Sequence, residues 1–156
     1  MNATIIPFPS DRIARPAPLA HRDQPCGHCW AERAHAVVDE AESMLEAGEA
    51  TQVIDLCRRA VRYLEASAAE VDDVEPLEAL ASRLDQLHLR ACEIARPDPV
   101  GLARWLFDAE GGELGGLVAA TERYASVLGR AGLAEHRRLT DAAWRRTRRN
   151  RHPSAV

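Results

Sequence analysis

Residues 75–99 read EPLEALASRLDQLHLRACEIARPDP, and the fold class follows most directly from this stretch. Its apolar residues recur every three or four positions, which is the spacing of one face of an α-helix. Pro76 suits a first helical turn, and the Pro97 and Pro99 break ends the pattern. We therefore predict a helix from about residue 76 to residue 95, with an apolar face formed by Leu77, Leu80, Ala81, Leu84, Leu87, Ala91, Ile94 and Ala95.

Similar amphipathic patterns lie on both sides of this helix. Upstream, residues 31–47 and 49–70 carry apolar stripes separated by Gly48. Glycine readily adopts the left-handed backbone conformation in which helices often end. Downstream, Asp98 and Pro99 have the pattern of an N-cap and a first helical residue. Further helices are predicted at about 99–107, 117–128 and 133–149. Because short loops favour antiparallel neighbours, we predict an all-α fold of about six helices in antiparallel pairs, a TPR-like α-α superhelical stack.

The chain divides into three parts. Residues 1–30 are predicted to be an extended, Pro-rich lead-in with a CxxC motif, residues 31–144 a helical domain, and residues 145–156 a basic, Arg-rich tail. Charge is distributed unevenly between these parts. Residues 32–122 hold 8 Arg and 20 acidic residues, a net charge of −12, whereas residues 123–156 hold 9 Arg and 2 acidic residues, a net charge of +7.

The composition favours a water-soluble helical protein. Hydrophobic residues make up 46% of the chain and aromatic residues only 4%, and the former are mostly Ala and Leu. No apolar run reaches the roughly 18 residues that cross a bilayer, and the first 19 residues lack a signal-like apolar block. A cytoplasmic location is therefore expected. All 20 basic residues are Arg, which is typical of a GC-rich bacterial genome.

Cys26, His28, Cys29 and His35 are the candidate metal ligands. A CxxC turn presents two thiolates to one Zn²⁺ ion, and nearby imidazoles complete a tetrahedral set. His21 is a further candidate, and so is a dimer that shares one ion. Two alternatives stay open at this point. The motif is also that of a thiol redox pair, although such pairs usually follow a strand, or the two thiols are simply exposed on the lead-in.

The remaining cysteines lie on or beside apolar stripes. Cys57 and Cys92 are therefore expected to be small buried residues. His88 precedes Cys92 by four positions, so the two share a helix face. A pair of this spacing can bind a metal ion, but a buried, hydrogen-bonded histidine is the favoured interpretation because no third ligand is evident.

The basic tail is the candidate nucleic-acid contact. Arginines neutralise phosphates in a salt-dependent and largely sequence-independent way. Two other roles fit the same residues: pairing with the acidic body, and complementing the negative end of a helix dipole. The arginines concerned are Arg145, Arg146, Arg148, Arg149 and Arg151.

Three segments resemble the C-terminal helical region, of unknown function, of actinobacterial SWIM zinc finger family proteins. They are DPVGLARWLF (98–107), ERYASVLGRAGL (122–133), and HRRL with the following AW (136–139 and 143–144). LHLRAC (87–92) and VIDLC (53–57) are also similar to that region, so the resemblance extends over roughly residues 34–144. The zinc motif of that family is C-x-C followed by C-x-H, of which Cys26-Gly27-His28 matches the second half and the first half is absent. The resemblance therefore implies a helical module more than it implies bound metal or DNA.

No catalytic motif is recognisable in this chain. There is no nucleophile elbow, and the glycine pairs at 111–116 lack the Lys and Ser or Thr of a phosphate loop. We therefore predict a non-catalytic interaction module that binds a protein partner. The alternative is a nucleic-acid-associated accessory protein that uses the Arg-rich tail and a zinc-bound CGHC segment. A homo-oligomer is a third hypothesis.

Overall fold

The computed structural model describes residues 26–118 and 120–151. This part of the chain is all-α and has no strand, as predicted. It contains five helices of twelve or more residues, α1 to α4 and α6, with one helical turn, α5, and a short 3-10 helix between the last two. The bounds are α1 Gly27–Glu46, α2 Ala50–Ala68, α3 Glu75–Ala95, α4 Pro99–Glu110, α5 Gly115–Val118, the 3-10 helix Thr121–Tyr124, and α6 Ala125–Arg151.

The first three helices pack together. α1 lies along α2, α2 lies along α3, and α1 also touches α3. Small side chains permit this close approach, because Ala34 and Ala41 of α1 and Ala60 of α2 are fully buried. Gly48, between α1 and α2, has a φ of 89°, a left-handed conformation that explains a glycine at this turn.

Helix α1 begins four residues earlier than predicted, so the CxxC motif starts a helix instead of lying on an extended lead-in. The cause is a tertiary contact with the end of α2. The Ser67 hydroxyl donates a 2.7 Å hydrogen bond to the Gly27 carbonyl, and a Cβ atom on Gly27 would lie 2.9 Å from Val71 Cγ1. The glycine thus allows this end of α1 to dock closely. Residues 1–25 of the predicted lead-in lie outside the described residues.

The break between α3 and α4 forms as the sequence predicts. Arg96 adopts a left-handed conformation with a φ of 49°, which ends α3. The Asp98 carboxylate then accepts a 2.7 Å hydrogen bond from the Gly101 N–H, and Pro99 occupies the first turn of α4. α4 leaves α3 here and packs against α6. The described packing therefore does not confirm TPR-like stacking.

The predicted fifth and sixth helices are arranged differently. A continuous helix over 117–128 is wrong, because the backbone at Ala120 is extended and separates α5 from the 3-10 helix. The last helix starts at Ala125, with a non-helical break at Gly129, where φ is 58°. It continues as helix to Arg151, so residues 145–151 are part of α6 and not a separate tail.

The core lies on the face of α3 that its periodicity predicts. Leu77, Leu80, Ala81, Leu84, Leu87 and Ala91 are buried. Of the other two residues on the predicted stripe, Ala95 is partly buried and Ile94 is 58% exposed. No helix in the described ranges is both long enough and apolar enough to span a membrane.

Two substitutions on α3 test this division between core and surface. Leu84→Ala should lower the free energy of unfolding by about 2–5 kcal/mol, because it removes a fully buried side chain and leaves a cavity. Ile94→Ala, the matched control, should change it by less than about 0.5 kcal/mol. Urea unfolding followed by circular dichroism measures both, and equal losses would contradict the packing.

Candidate functional site

Chemistry-bearing side chains are found in four places: the N-terminus of α1, a buried cluster around His88, a cleft between α2 and α4, and the end of α6. The first holds the predicted CxxC motif. Cys26 is the N-cap of α1 and Cys29 lies in its first turn, with the two Sγ atoms 3.0 Å apart. Cys26 is partly exposed, whereas Cys29 is only 6% exposed.

The two thiols differ in acidity as well as exposure. A hydrogen bond from the Cys29 thiol lowers the pKa of Cys26 below its usual value. The same contact raises the pKa of Cys29. Cys26 is therefore the thiol that ionises first. Its position at the N-terminus of a helix also favours the anionic form.

The other two predicted metal ligands point elsewhere. His28 is 80% exposed and its Nε2 atom lies 3.0 Å from the Glu32 carboxylate, one turn further along α1. His35 is also exposed on α1. No three His, Cys, Asp or Glu side chains come together as a metal-binding group in the part of the chain that the structure describes. His21 lies outside that part, and zinc binding at Cys26, His28, Cys29 and His35 stays a prediction.

A chain of hydrogen bonds is buried between α3 and the 3-10 helix. The Tyr124 hydroxyl donates a 3.0 Å hydrogen bond to Asp85 Oδ1 and lies 2.9 Å from His88 Nδ1. Since the hydroxyl proton is directed to Asp85, the Nδ1–H group of His88 donates to the hydroxyl oxygen. Arg123 Nε lies 3.0 Å from the other oxygen of Asp85. The buried side chains of Asp85, His88 and Tyr124 thus satisfy one another within the core, and the exposed Arg123 pairs with Asp85 from the surface.

Apolar and aromatic side chains contact these hydrogen-bonded residues on the side that faces α4. The His88 ring lies 4.4 Å from the Trp105 ring between centroids, and the Arg58 guanidinium carbon lies 5.1 Å from the Trp105 centroid. Cys92 Sγ is 3.8 Å from His88 Nε2, which confirms that the two residues share a face. Burial, with a contribution from the Arg58 charge, lowers the pKa of His88 to about 3. His88 is therefore a neutral, buried histidine at physiological pH.

Burial also makes the two core cysteines unreactive. Cys57 and Cys92 are fully buried, as predicted. Desolvation raises the pKa of each thiol to about 12, so neither forms a thiolate near neutral pH. Since His88, Cys57 and Cys92 are enclosed, the cluster has the features of a structural element.

A cleft of about 770 Å³ lies between α2 and α4. Sequence reasoning missed it, because its two walls come from helices that are far apart in the chain. Arg58 Nε is buried in it without a hydrogen-bond partner in the described residues. The Glu65 carboxylate accepts hydrogen bonds from the N–H groups of Glu113 and Leu114, so it is already paired. The lining residues are Asp55, Arg58, Arg59, Val61, Arg62, Glu65, Trp105, Asp108, Ala109 and Gly112.

Residues 144–151, at the end of α6, are all exposed. Side-chain bonds between α4 and α6 involve Glu135, which pairs with Arg104, and His136, which pairs with Glu110. Beyond these, the side-chain hydrogen bonds of Thr140, Arg145 and Thr147 go to carbonyl groups of α6 itself. We refer to residues 133–151 as the C-terminal arm.

The arm exposes two large apolar side chains among arginines. Leu133 is 41% exposed and Trp144 is 59% exposed. They lie about three helical turns apart and therefore on the same face. The Arg148 guanidinium carbon lies 5.6 Å from the centre of the Trp144 ring, and all five predicted nucleic-acid contacts, Arg145, Arg146, Arg148, Arg149 and Arg151, are exposed. Within the described ranges these five form no ion pair with the acidic body.

No protein-family model, curated protein or solved structure matches this chain. The resemblance to SWIM zinc finger proteins therefore rests on the segments quoted above alone.

The buried histidine makes stability depend on pH. The unfolded chain takes up a proton at His88 near pH 6.5, whereas the folded protein does so only near pH 3. The contribution of the neutral His88 to the free energy of unfolding is therefore fully present above pH 6.5. As the pH falls below that value, the free energy of unfolding decreases by up to about 1.4 kcal/mol per pH unit. Urea unfolding at several values between pH 7.5 and pH 5 should show this slope in the wild type and a flatter one in His88→Gln.

His35→Gln is the matched control for that series, because it removes an exposed histidine from α1. Its slope should equal that of the wild type. Equal slopes in His88→Gln and the wild type would contradict a buried, neutral His88.

Proposed function

We propose that this protein is a non-catalytic interaction module that binds a protein partner through its C-terminal arm. The observation that carries the proposal is the exposure of Leu133 and Trp144 on one face of a helix that continues beyond its own core. Exposed apolar side chains that share a face and are rimmed by charged residues are typical of a surface that a partner covers, whereas a single exposed apolar side chain such as Ile94 is ordinary.

The composition of the arm favours a protein partner. Trp and Arg are the residues most enriched where protein interfaces concentrate their binding free energy. The arm holds seven arginines and two acidic residues, and one of the latter, Glu135, is already paired with Arg104 and Arg138. We therefore expect an acidic partner surface with an apolar groove for Trp144. Long-range attraction between the opposite charges would speed association.

TPR-like stacking belongs to the same proposal. Its support is that α1 packs against α2 and α2 packs against α3, so neighbours in the chain are neighbours in space. In this arrangement the three helices serve as a rigid support for α4 and for the arm, which is the part that binds.

Trp144→Ala should weaken partner binding by about 2 kcal/mol or more, which is roughly 30-fold in Kd. The full-length protein is immobilised, a partner is captured from a nuclease-treated extract of the host and identified by mass spectrometry, and its Kd is measured by calorimetry. Ile94→Ala is the matched control, since it removes an equally exposed apolar side chain from α3 and should leave Kd unchanged.

Three outcomes would contradict the proposal. They are equal binding by Trp144→Ala and wild type, capture that depends on nucleic acid in the extract, and self-association that Trp144→Ala abolishes. The last would assign the arm to a homo-oligomer.

Nucleic acid is the second candidate, because five exposed arginines occupy the last seven residues of α6. If they contact phosphates, a random-sequence DNA duplex should bind at low salt. The slope of log K against log salt should be about −4.5 for five neutralised phosphates, at about −0.9 for each. Truncation after Trp144 should abolish this binding, as measured by fluorescence anisotropy.

The control for this second candidate is Arg90→Gln, which removes an exposed arginine from α3. It should bind DNA as the wild type does. Absence of binding at low salt, or binding that survives the truncation, would rule out the arm as a nucleic-acid contact.

A further inference from the structure

We propose that Cys26 and Cys29 form a redox-active dithiol that exchanges with disulfides. In this role the N-terminus of α1 is a second functional site, independent of the C-terminal arm. Its substrate class is a low-molecular-weight disulfide, and its oxidised product is an intramolecular Cys26–Cys29 disulfide.

The geometry already approaches that of the product. The two Sγ atoms are 3.0 Å apart, whereas a disulfide bond is about 2.0 Å long, so the sulfur atoms need to approach by about 1 Å. Both residues belong to the same helical end, Cys26 as N-cap and Cys29 one turn later. Oxidation therefore requires no rearrangement of the helices.

The exposure of the pair defines a role for each sulfur. Cys26 is partly exposed and reaches solvent, which suits the attacking thiol. Cys29 is buried behind it and is shielded from a disulfide in solution. It contacts Cys26, and so suits the resolving thiol.

The end of α2 holds this pair in place. Gly27, between the two cysteines, accepts the buried Ser67 hydrogen bond and packs on Val71. One residue after Cys29, the Trp30 ring stacks on Tyr63 of α2 with centroids 5.6 Å apart. Contacts within the motif and directly after it therefore fix the helical end that carries the two thiols.

The exchange proceeds in two steps. The Cys26 thiolate attacks one sulfur of a disulfide RSSR, so that a Cys26–S–S–R bond forms and RS⁻ leaves. The Cys29 thiol loses its proton and attacks Cys26 Sγ, so that the Cys26–Cys29 disulfide forms and a second RS⁻ leaves. In sum, the protein dithiol is oxidised by two electrons and RSSR is reduced to two RSH.

The chain contains its own reference thiols. Cys57 and Cys92 are fully buried, with pKa values raised to about 12. Both should stay reduced under conditions that oxidise Cys26 and Cys29. A reaction confined to Cys26 and Cys29 would therefore reflect the local structure and not general thiol oxidation.

The experiment treats the reduced, full-length protein with glutathione disulfide, followed by alkylation and mass spectrometry. The wild type should lose two hydrogens and keep no adduct, with the new bond mapped to Cys26–Cys29. Cys29→Ser should retain one glutathione on Cys26, because the resolving thiol is absent. Cys26→Ser should react at least about tenfold more slowly. Cys57→Ser, the matched control, should behave as the wild type does.

Several results would overturn this proposal. They include a wild type that carries glutathione on both cysteines, single variants that react at equal rates, and a purified protein in which one zinc ion per chain protects both thiols. Circular dichroism of each variant shows whether it is folded, so a slow reaction is not confused with a loss of structure.

Discussion

The buried hydroxyl of Tyr124 links α3 to the 3-10 helix that directly precedes α6. It lies between Asp85 and His88 of α3, and it immediately precedes the helix that forms the C-terminal arm. A buried polar group is costly unless its hydrogen bonds are made, so this side chain defines one position of α6 relative to α3. The start of α6, before the break at Gly129, is therefore held by a contact within the core, and the arm beyond the break is held to α4 through Glu135 and His136.

The titratable side chains in the core differ from those at the surface. His88, Cys57 and Cys92 are enclosed, and burial holds each of them in its neutral form. Cys26, the partly exposed thiol of the CxxC motif, and the arginines of the arm lie near opposite ends of the described chain and reach solvent. The two proposed surface functions therefore share no residue.

The helices were predictable where local rules are sufficient. The Asp98 N-cap with Pro99, the apolar face of α3 and the turn at Gly48 all depend on residues within one or two turns. The start of α1 was not predictable, because it depends on Ser67 and Val71, some forty residues further along the chain. The cleft beside Trp105 was missed for the same reason, since its walls belong to different helices.

By itself, the sequence determined the all-α class, the charge of each segment, the burial of Cys57 and Cys92, and the presence of a CxxC motif and an Arg-rich end. These follow from composition and from short-range periodicity. Only the tertiary structure decided that the two thiols meet at a helix end, that His88 bonds to Tyr124, and that Trp144 remains exposed on α6. Each of these depends on which distant residues share a surface, and helical periodicity carries no information about that choice.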